Sequence, residues 1–217
     1  ERSRIARDLH DDLGANLTEI SILAALAAED AEKTPLESPL DQLSTKAKHA
    51  VGSLDEIVWA VNPREDTLRS LVDYLAAFAH EFLDIARISL RMEIAPAIPD
   101  LAIAASRRHG VFMAFKEALN NIVEHAYGGV PGGAIALEAR IGARGLRCTL
   151  RDRGAPLPGH APPAGRPPRL DTTPEALPEG GFGWFLIRSL AQEVDYAREA
   201  GTNRLTLGFD LPAPAPP

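Results

Sequence analysis

Lys116-Glu-Ala-Leu-Asn-Asn-Ile-Val-Glu-His-Ala126 is the stretch on which the fold turns. Glu117, Asn121 and His125 recur at spacings of four, so a helix carries all three on one face. The surrounding residues extend that helix from Ala105 to Tyr127. Such a row suits a solvated helix face. It also suits a metal-phosphate site, because magnesium takes oxygen ligands and an Asn carbonyl supplies one while phosphates and waters supply the rest.

Outward toward the C-terminus, alternation of apolar and polar residues predicts strands over Ala134–Arg140 and Gly145–Asp152. Asp152-Arg-Gly154 stands at the end of the second. Residues 153–180 are crowded with Pro and Gly and are read as a long mobile loop without regular structure, of the kind that covers a site. The loop meets a helix over Phe182–Glu193 at Gly180-Gly-Phe-Gly183, and strands over Val194–Glu199 and Asn203–Leu211 close the chain. A carboxylate at a strand end can accept a hydrogen bond from an exocyclic amine of a base. Glycines at a helix start let backbone N–H groups approach phosphates.

Outward toward the N-terminus come a strand over Ile88–Ile94 and a helix over Thr67–Ala86. Ahead of them Ile5, Leu9, Leu13, Leu17, Ile20 and Ala24 form the apolar stripe of a helix from near Arg2 to Ala28. A second helical run, Leu40–Val61, ends at Asn62-Pro63. Two helices on a short link form a hairpin that cannot bury both stripes alone, so either it packs on the rest of its own chain or two copies pair into a four-helix bundle. The fold class expected is therefore α+β, an antiparallel helical hairpin followed by an α/β sandwich. The domains expected are 1–64, the helical hairpin, 65–211, the sandwich with its long loop over about 153–179, and a disordered tail over 212–217.

The chain has 217 residues, 45% of them hydrophobic, enough for one core and a smaller module. A net charge of -7 offers no basic footprint for nucleic acid. The single cysteine, Cys148, excludes an internal disulfide and fits a reducing, cytoplasmic setting. The apolar runs are too short for a membrane span. Because the chain opens at Glu1 inside a helical pattern, a sensor region is expected upstream, and membrane attachment only through it.

On the first helix, at about 100° per residue, His10 falls just off the apolar stripe while Asp8, Asp11 and Asp12 turn to water. A histidine serves as a phosphoryl nucleophile when one ring nitrogen is unprotonated and a carboxylate orients the ring; Asp11 has that chemistry. Spacing alone describes equally a surface histidine on a wet helix.

The stretch Arg4-Ile-Ala-Arg-Asp-Leu-His-Asp-Asp-Leu-Gly14 resembles the H-box of histidine kinases of the nitrate-sensor and desaturase-regulator class, and Leu54-Asp-Glu-Ile-Val-Trp-Ala-Val-Asn-Pro63 resembles the end of their second bundle helix. The Asn121 helix, Asp152-Arg-Gly154 and Gly180-Gly-Phe-Gly183 resemble the N, G1 and G2 boxes of the ATPase domain shared by histidine kinases, gyrase, Hsp90 and the MutL repair proteins. The resemblance implies that His10 is the phosphoacceptor and Asp11 its base. It implies that Glu117 polarises the reacting end, that Asn121 binds Mg2+ through ATP, and that His125 belongs to the nucleotide face. Asp152 would read adenine, with Gly154 beside it. Gly181 and Gly183 would flank the phosphates, and Thr202 would lie near the base. It further implies a homodimer that phosphorylates the receiver domain of a response regulator. Where the family often carries a Gln that positions water for dephosphorylation, this chain has Ala15, so weak phosphatase activity is expected.

The segments Gly180–Leu190 and Gly201–Leu207, with His125-Ala-Tyr127, resemble instead the anti-sigma-factor serine kinases of the same superfamily. Two other functions are thereby kept in view: a protein-serine kinase, against which the H-box stands, and a non-catalytic ATP-binding dimer, against which Glu117, Asn121 and Asp152 stand.

Overall fold

Thr67 stands before the first helix whose full range is described. Its backbone is extended (φ -128°, ψ 154°) and its hydroxyl accepts a hydrogen bond from the amide of Ser70 at 3.1 Å, which caps helix α1, Leu68–Ile85. The computed structural model describes Ile20, Trp59 and residues 66–142, 144–165 and 183–211. The expected N-terminal hairpin, with His10, Asp11 and Ala15, lies outside the described residues, as do Gly181, most of the expected lid and the expected tail.

Leu68, Leu71, Val72, Leu75, Ala79 and Leu83 are buried along one stripe of α1. Each large side chain among them contributes about 1.5–3 kcal/mol by leaving water. The stripe packs on helix α2, Ala105–Asn121, where Phe112 takes both Tyr74 and Phe78 edge to face at centroid separations of 5.1 Å. A strap joins the start of α1 to the approach of α2: the amide of Leu68 donates to Leu101 and the amide of Ile103 to Asp66.

Strand β1, Ser89–Ile94, leads through α2 to β2, Ala134–Gly142, and the two run parallel. β3, Gly145–Asp152, returns antiparallel to β2; after helix α3, Gly183–Leu190, strands β4, Glu193–Glu199, and β5, Thr202–Asp210, complete the sheet. The order is β1-β2-β3-β5-β4. The sequence expectations for the five strands and for α1 and α3 agree to within three residues at each end.

Period-two alternation gives the sheet its two faces. Ile135, Leu137, Ala139, Leu146, Cys148, Leu150, Leu205, Leu207 and Phe209 are buried on one, and with α1, α2 and Ile187 of α3 they make the core. Gly110 lets α3 come close to α2, since a Cβ there would stand 3.2 Å from Leu190. The other face is charged: Arg147 pairs with Glu193, Arg151 with Glu138, and Arg204 with Asp195. Among the described residues no helix is long and apolar enough to cross a membrane.

The sequence reading continued the α-helix to Tyr127. In the structure the α-helix ends at Asn121 and Ile122–Ala126 forms a π turn, closed by the amide of Tyr127 on the carbonyl of Ile122 at 3.0 Å. A periodicity of apolar residues does not register one inserted residue at a helix end, and π turns concentrate at functional sites.

Candidate functional site

Beyond the ends of β3 and β5, a cavity of about 410 Å³ opens between the sheet, the π turn and the loop after β3. Its volume lies in the usual range for small-ligand sites. Asn121, His125, Asp152, Trp184, Tyr196 and Asn203 contribute to its wall, from α2, the π turn, β3, α3, β4 and β5 respectively.

Asp152 is the last residue of β3 and is buried. Its Oδ1 accepts from the amide of Gly154 at 2.8 Å and from Nδ2 of Asn203 at 2.8 Å. Among the described residues Oδ2 has no protein donor and is left to the cavity. Burial raises the proton affinity of the carboxyl, opposed by the bonds from Asn203 and Gly154 and by the charge of Arg198.

Glu117 is likewise pushed up, chiefly by burial; Lys116 beside it works the other way and Glu124 adds to the rise. Gly183, the first residue of α3, lies against this carboxylate: a Cβ at Gly183 would stand 2.6 Å from Glu117 Oε2 and 3.6 Å from Asn121 Nδ2. A Cβ there would push the carboxylate out of its place. Nδ2 of Asn121 is buried and, among the described residues, has no hydrogen-bond partner. A buried amide left unsatisfied costs about 1–3 kcal/mol, which a ligand offering a partner would recover.

The loop after β3 is fastened at its root from both sides. On one, the amide of Ala155 donates to Ala126 at 2.8 Å and the amide of Arg153 to the Tyr127 hydroxyl at 3.3 Å. Gly154 packs so closely on Ala126 that a Cβ would collide with its carbonyl. On the other, the Leu157 amide donates to the Tyr196 hydroxyl at 3.1 Å, and Arg198 Nη1 to the Gly154 carbonyl at 3.0 Å. Further along, the Arg188 guanidinium of α3 donates to the carbonyls of Pro163 and Pro162 at 2.7 and 2.8 Å. Among its described residues, the run expected to be irregular contains a turn of 3-10 helix at Pro158–His160.

Of the residues singled out in the sequence, Asn121, His125 and Asp152 share the cavity wall, Glu117 and Gly183 adjoin it at Asn121, and Gly154 supports Asp152. Thr202 does not line it; its neighbour Asn203 does. The parity of β5 explains the difference. Asn203 shares its face with buried Leu205, Leu207 and Phe209, whereas Thr202 belongs to the opposite set. That alternation was present in the sequence and would have selected Asn203. Tyr196 and Trp184 were also missed, because one aromatic on a short strand or helix carries no signal until the chain is folded.

The sequence matches two families: residues 1–66 the one described as Histidine kinase, and residues 63–209 the one described as Histidine kinase-like ATPase domain. The chain is 27% identical over 161 residues to the signal transduction histidine-protein kinase/phosphatase UhpB of Salmonella typhimurium, covering 72% of this chain and 31% of UhpB. It is 38% identical over 109 residues to the serine/threonine-protein kinase BtrW of Bordetella bronchiseptica, covering 48% of this chain and 71% of BtrW. It thus spans about a third of the length of its sensor-kinase relative. Among solved structures, the histidine kinase domain of the blue-light activated histidine kinase from Erythrobacter litoralis EL346 matches with a TM-score of 0.51 at 16% identity, covering 97% of this chain and 94% of that one. Sequence and fold agree: the chain belongs to the histidine kinase family, as a histidine kinase segment followed by a histidine kinase-like ATPase domain.

Proposed function

We propose that this chain is the ATP-dependent core of a dimeric, cytoplasmic sensor kinase, which phosphorylates His10 and passes the phosphoryl group to an aspartate in a response regulator's receiver domain. The observation that carries the reading is the cavity. It brings Asn121, His125 and Asp152 to one wall in a chain whose first 66 residues match the histidine kinase family.

The side chains fit a purine nucleotide with its divalent ion. Asp152 offers Oδ2 to an amino group of the base, and Nδ2 of Asn121, buried and without a partner among the described residues, offers a donor to a phosphate oxygen. Asn121 would hold Mg2+ through its Oδ1, with Glu117 and Gly183 beside it and Gly181 nearby along the chain; the ion would supply charge neutralisation at the phosphates. His10 attacks the terminal phosphorus with one ring nitrogen. The bond from phosphorus to the bridging oxygen breaks, ADP leaves with that electron pair, and the proton on the other nitrogen is shared with Asp11. Glu117, with its raised proton affinity, polarises the reacting end. Residues 1–64 would dimerise through their helices, and residues 65–211 would deliver the phosphoryl group. Ala15, in place of a water-positioning Gln, gives little phosphatase activity toward the regulator.

A second reading has its own support: the 38% identity to a serine/threonine kinase favours transfer to a serine of a partner protein. Incubation with γ-labelled ATP and magnesium separates the two. Acid-labile, alkali-stable label that is lost in the His10→Ala variant is the result expected. Nucleotide binding without any label on the chain would overturn autophosphorylation and leave the serine kinase.

A further inference from the structure

Asn203 makes five polar contacts. Its Nδ2 donates to Asp152 Oδ1 at 2.8 Å, to the Ala155 carbonyl at 3.0 Å and toward the Gly154 carbonyl at 3.4 Å. Its Oδ1 accepts from the Tyr196 hydroxyl at 2.7 Å and from Arg198 Nη1 at 2.5 Å. The direction of these bonds is forced. Arg198 can only donate, and the Tyr196 oxygen already accepts from the Leu157 amide, so its proton goes to Asn203. Turning the amide over would set its NH2 against a guanidinium and its oxygen against a carboxylate. Two residues of β4 therefore decide which atom of Asn203 faces Asp152.

The consequence reaches the cavity. With Oδ1 held by Asn203 and Gly154, only Oδ2 of Asp152 is available, and an ionised carboxylate can only accept. A purine with an amino group at the facing position is welcomed; one with a carbonyl there brings acceptor against acceptor. Polar mismatch of this kind, in a buried site, discriminates far more strongly than a difference in size.

We propose that Arg198 and Tyr196 are positioning residues that act through Asn203 to set the preference of this site for an amino-bearing purine over its oxo counterpart. The inference rests on the nucleotide reading of the cavity. Without Arg198 the Asn203 Oδ1 loses one of its two donors and Asp152 loses a nearby positive charge, so the hold that keeps the carboxylate ionised weakens. With that hold weakened, burial, which already favours the protonated carboxyl, lets a proton settle on Oδ2 while Oδ1 goes on accepting from Gly154, and Oδ2 can then donate to a carbonyl. The charged and titratable groups around Asp152 are Arg198 and Tyr196 from β4 and His125 from the π turn.

The test is calorimetric binding of Mg-ATP and Mg-ITP to the full chain and to its Arg198→Met, Arg198→Lys and Tyr196→Phe variants. ITP differs from ATP by an oxygen in place of the amino group. The native chain should bind ATP at least about tenfold more tightly than ITP. Arg198→Met should narrow that ratio by about tenfold, a change of about 1.4 kcal/mol. Tyr196→Phe should narrow it less, and Arg198→Lys, which keeps a donor and a charge, should restore most of it. A ratio unchanged within twofold in Arg198→Met overturns the proposal, including the case where both nucleotides weaken together, which would make Arg198 purely structural. Should Arg198→Met not fold, an unchanged ratio in Tyr196→Phe overturns it alone. Failure of the native chain to bind either nucleotide overturns the nucleotide reading itself, a result distinct from the others.

Discussion

Nδ2 of Asn203 and Oδ1 of Asp152 meet at 2.8 Å across directly paired positions of β5 and β3, so the residue at the cavity's base is held by the neighbouring strand as well as by its own loop. Replacing Asp152 with Asn removes the charge that an amino group of the base would meet. A hydrogen bond to a charged group contributes about 2 kcal/mol, so Mg-ATP affinity should fall about thirtyfold. Titration calorimetry measures it, and retention of native affinity would place the base elsewhere.

Gly183 is tied to Glu117 by proximity alone. The Cβ introduced by Gly183→Ala would stand 2.6 Å from Oε2, so the Glu117 carboxylate must swing out of its place. Autophosphorylation should drop at least about tenfold, the effect of misplacing a group at the reacting end. The far-ultraviolet dichroism should stay native. Undiminished label would show that Glu117 has no part in the transfer.

Gly154 has no room for a side chain, since a Cβ would run into the carbonyl of Ala126. Backbone cannot rotate aside as a side chain can. Gly154→Ala should therefore destabilise the protein by about 1–3 kcal/mol, read as a lower urea midpoint at unchanged slope.

The proton affinity of Glu117 is raised above the ordinary value of 4.5 by burial. The folded state thus binds this proton more tightly than the unfolded state. Its contribution is greatest at low pH and is lost as pH rises from the ordinary carboxylate value through the raised one. A Glu117→Gln variant, which cannot ionise, should gain stability relative to the native chain across that window and keep a constant advantage above it. Urea melts from pH 4 to 8 give the difference directly; a constant offset throughout would refute the assigned cause.

Cys148 is fully buried in β3 and its thiol is pushed up to about 12 by that burial. Because the chain holds no other cysteine, a thiol reagent at neutral pH should react only as fast as the domain opens. Rapid reaction of the folded protein would mean that β3 is exposed.

Much of this molecule was legible in one dimension. The alternation in Ala134–Gly142 and Gly145–Asp152 marked two half-buried strands, because side chains of a strand leave on opposite faces whatever the neighbours are. The helix over Thr67–Ala86 was equally a local fact, and the structure makes Thr67 its cap rather than its first turn. Asn121, His125 and Asp152 stood out as polar groups in motifs of recognisable spacing. Only the tertiary structure decided that β5 lies between β3 and β4, which brings Asn203 to Asp152 from 51 residues away. It also decided the π turn, the closeness of Gly183 to Glu117, and the fastening of the loop root by Tyr196 and Arg198. Periodicity reports which way a side chain points from its own element; which partner it meets depends on register and packing between elements, and no local pattern contains them.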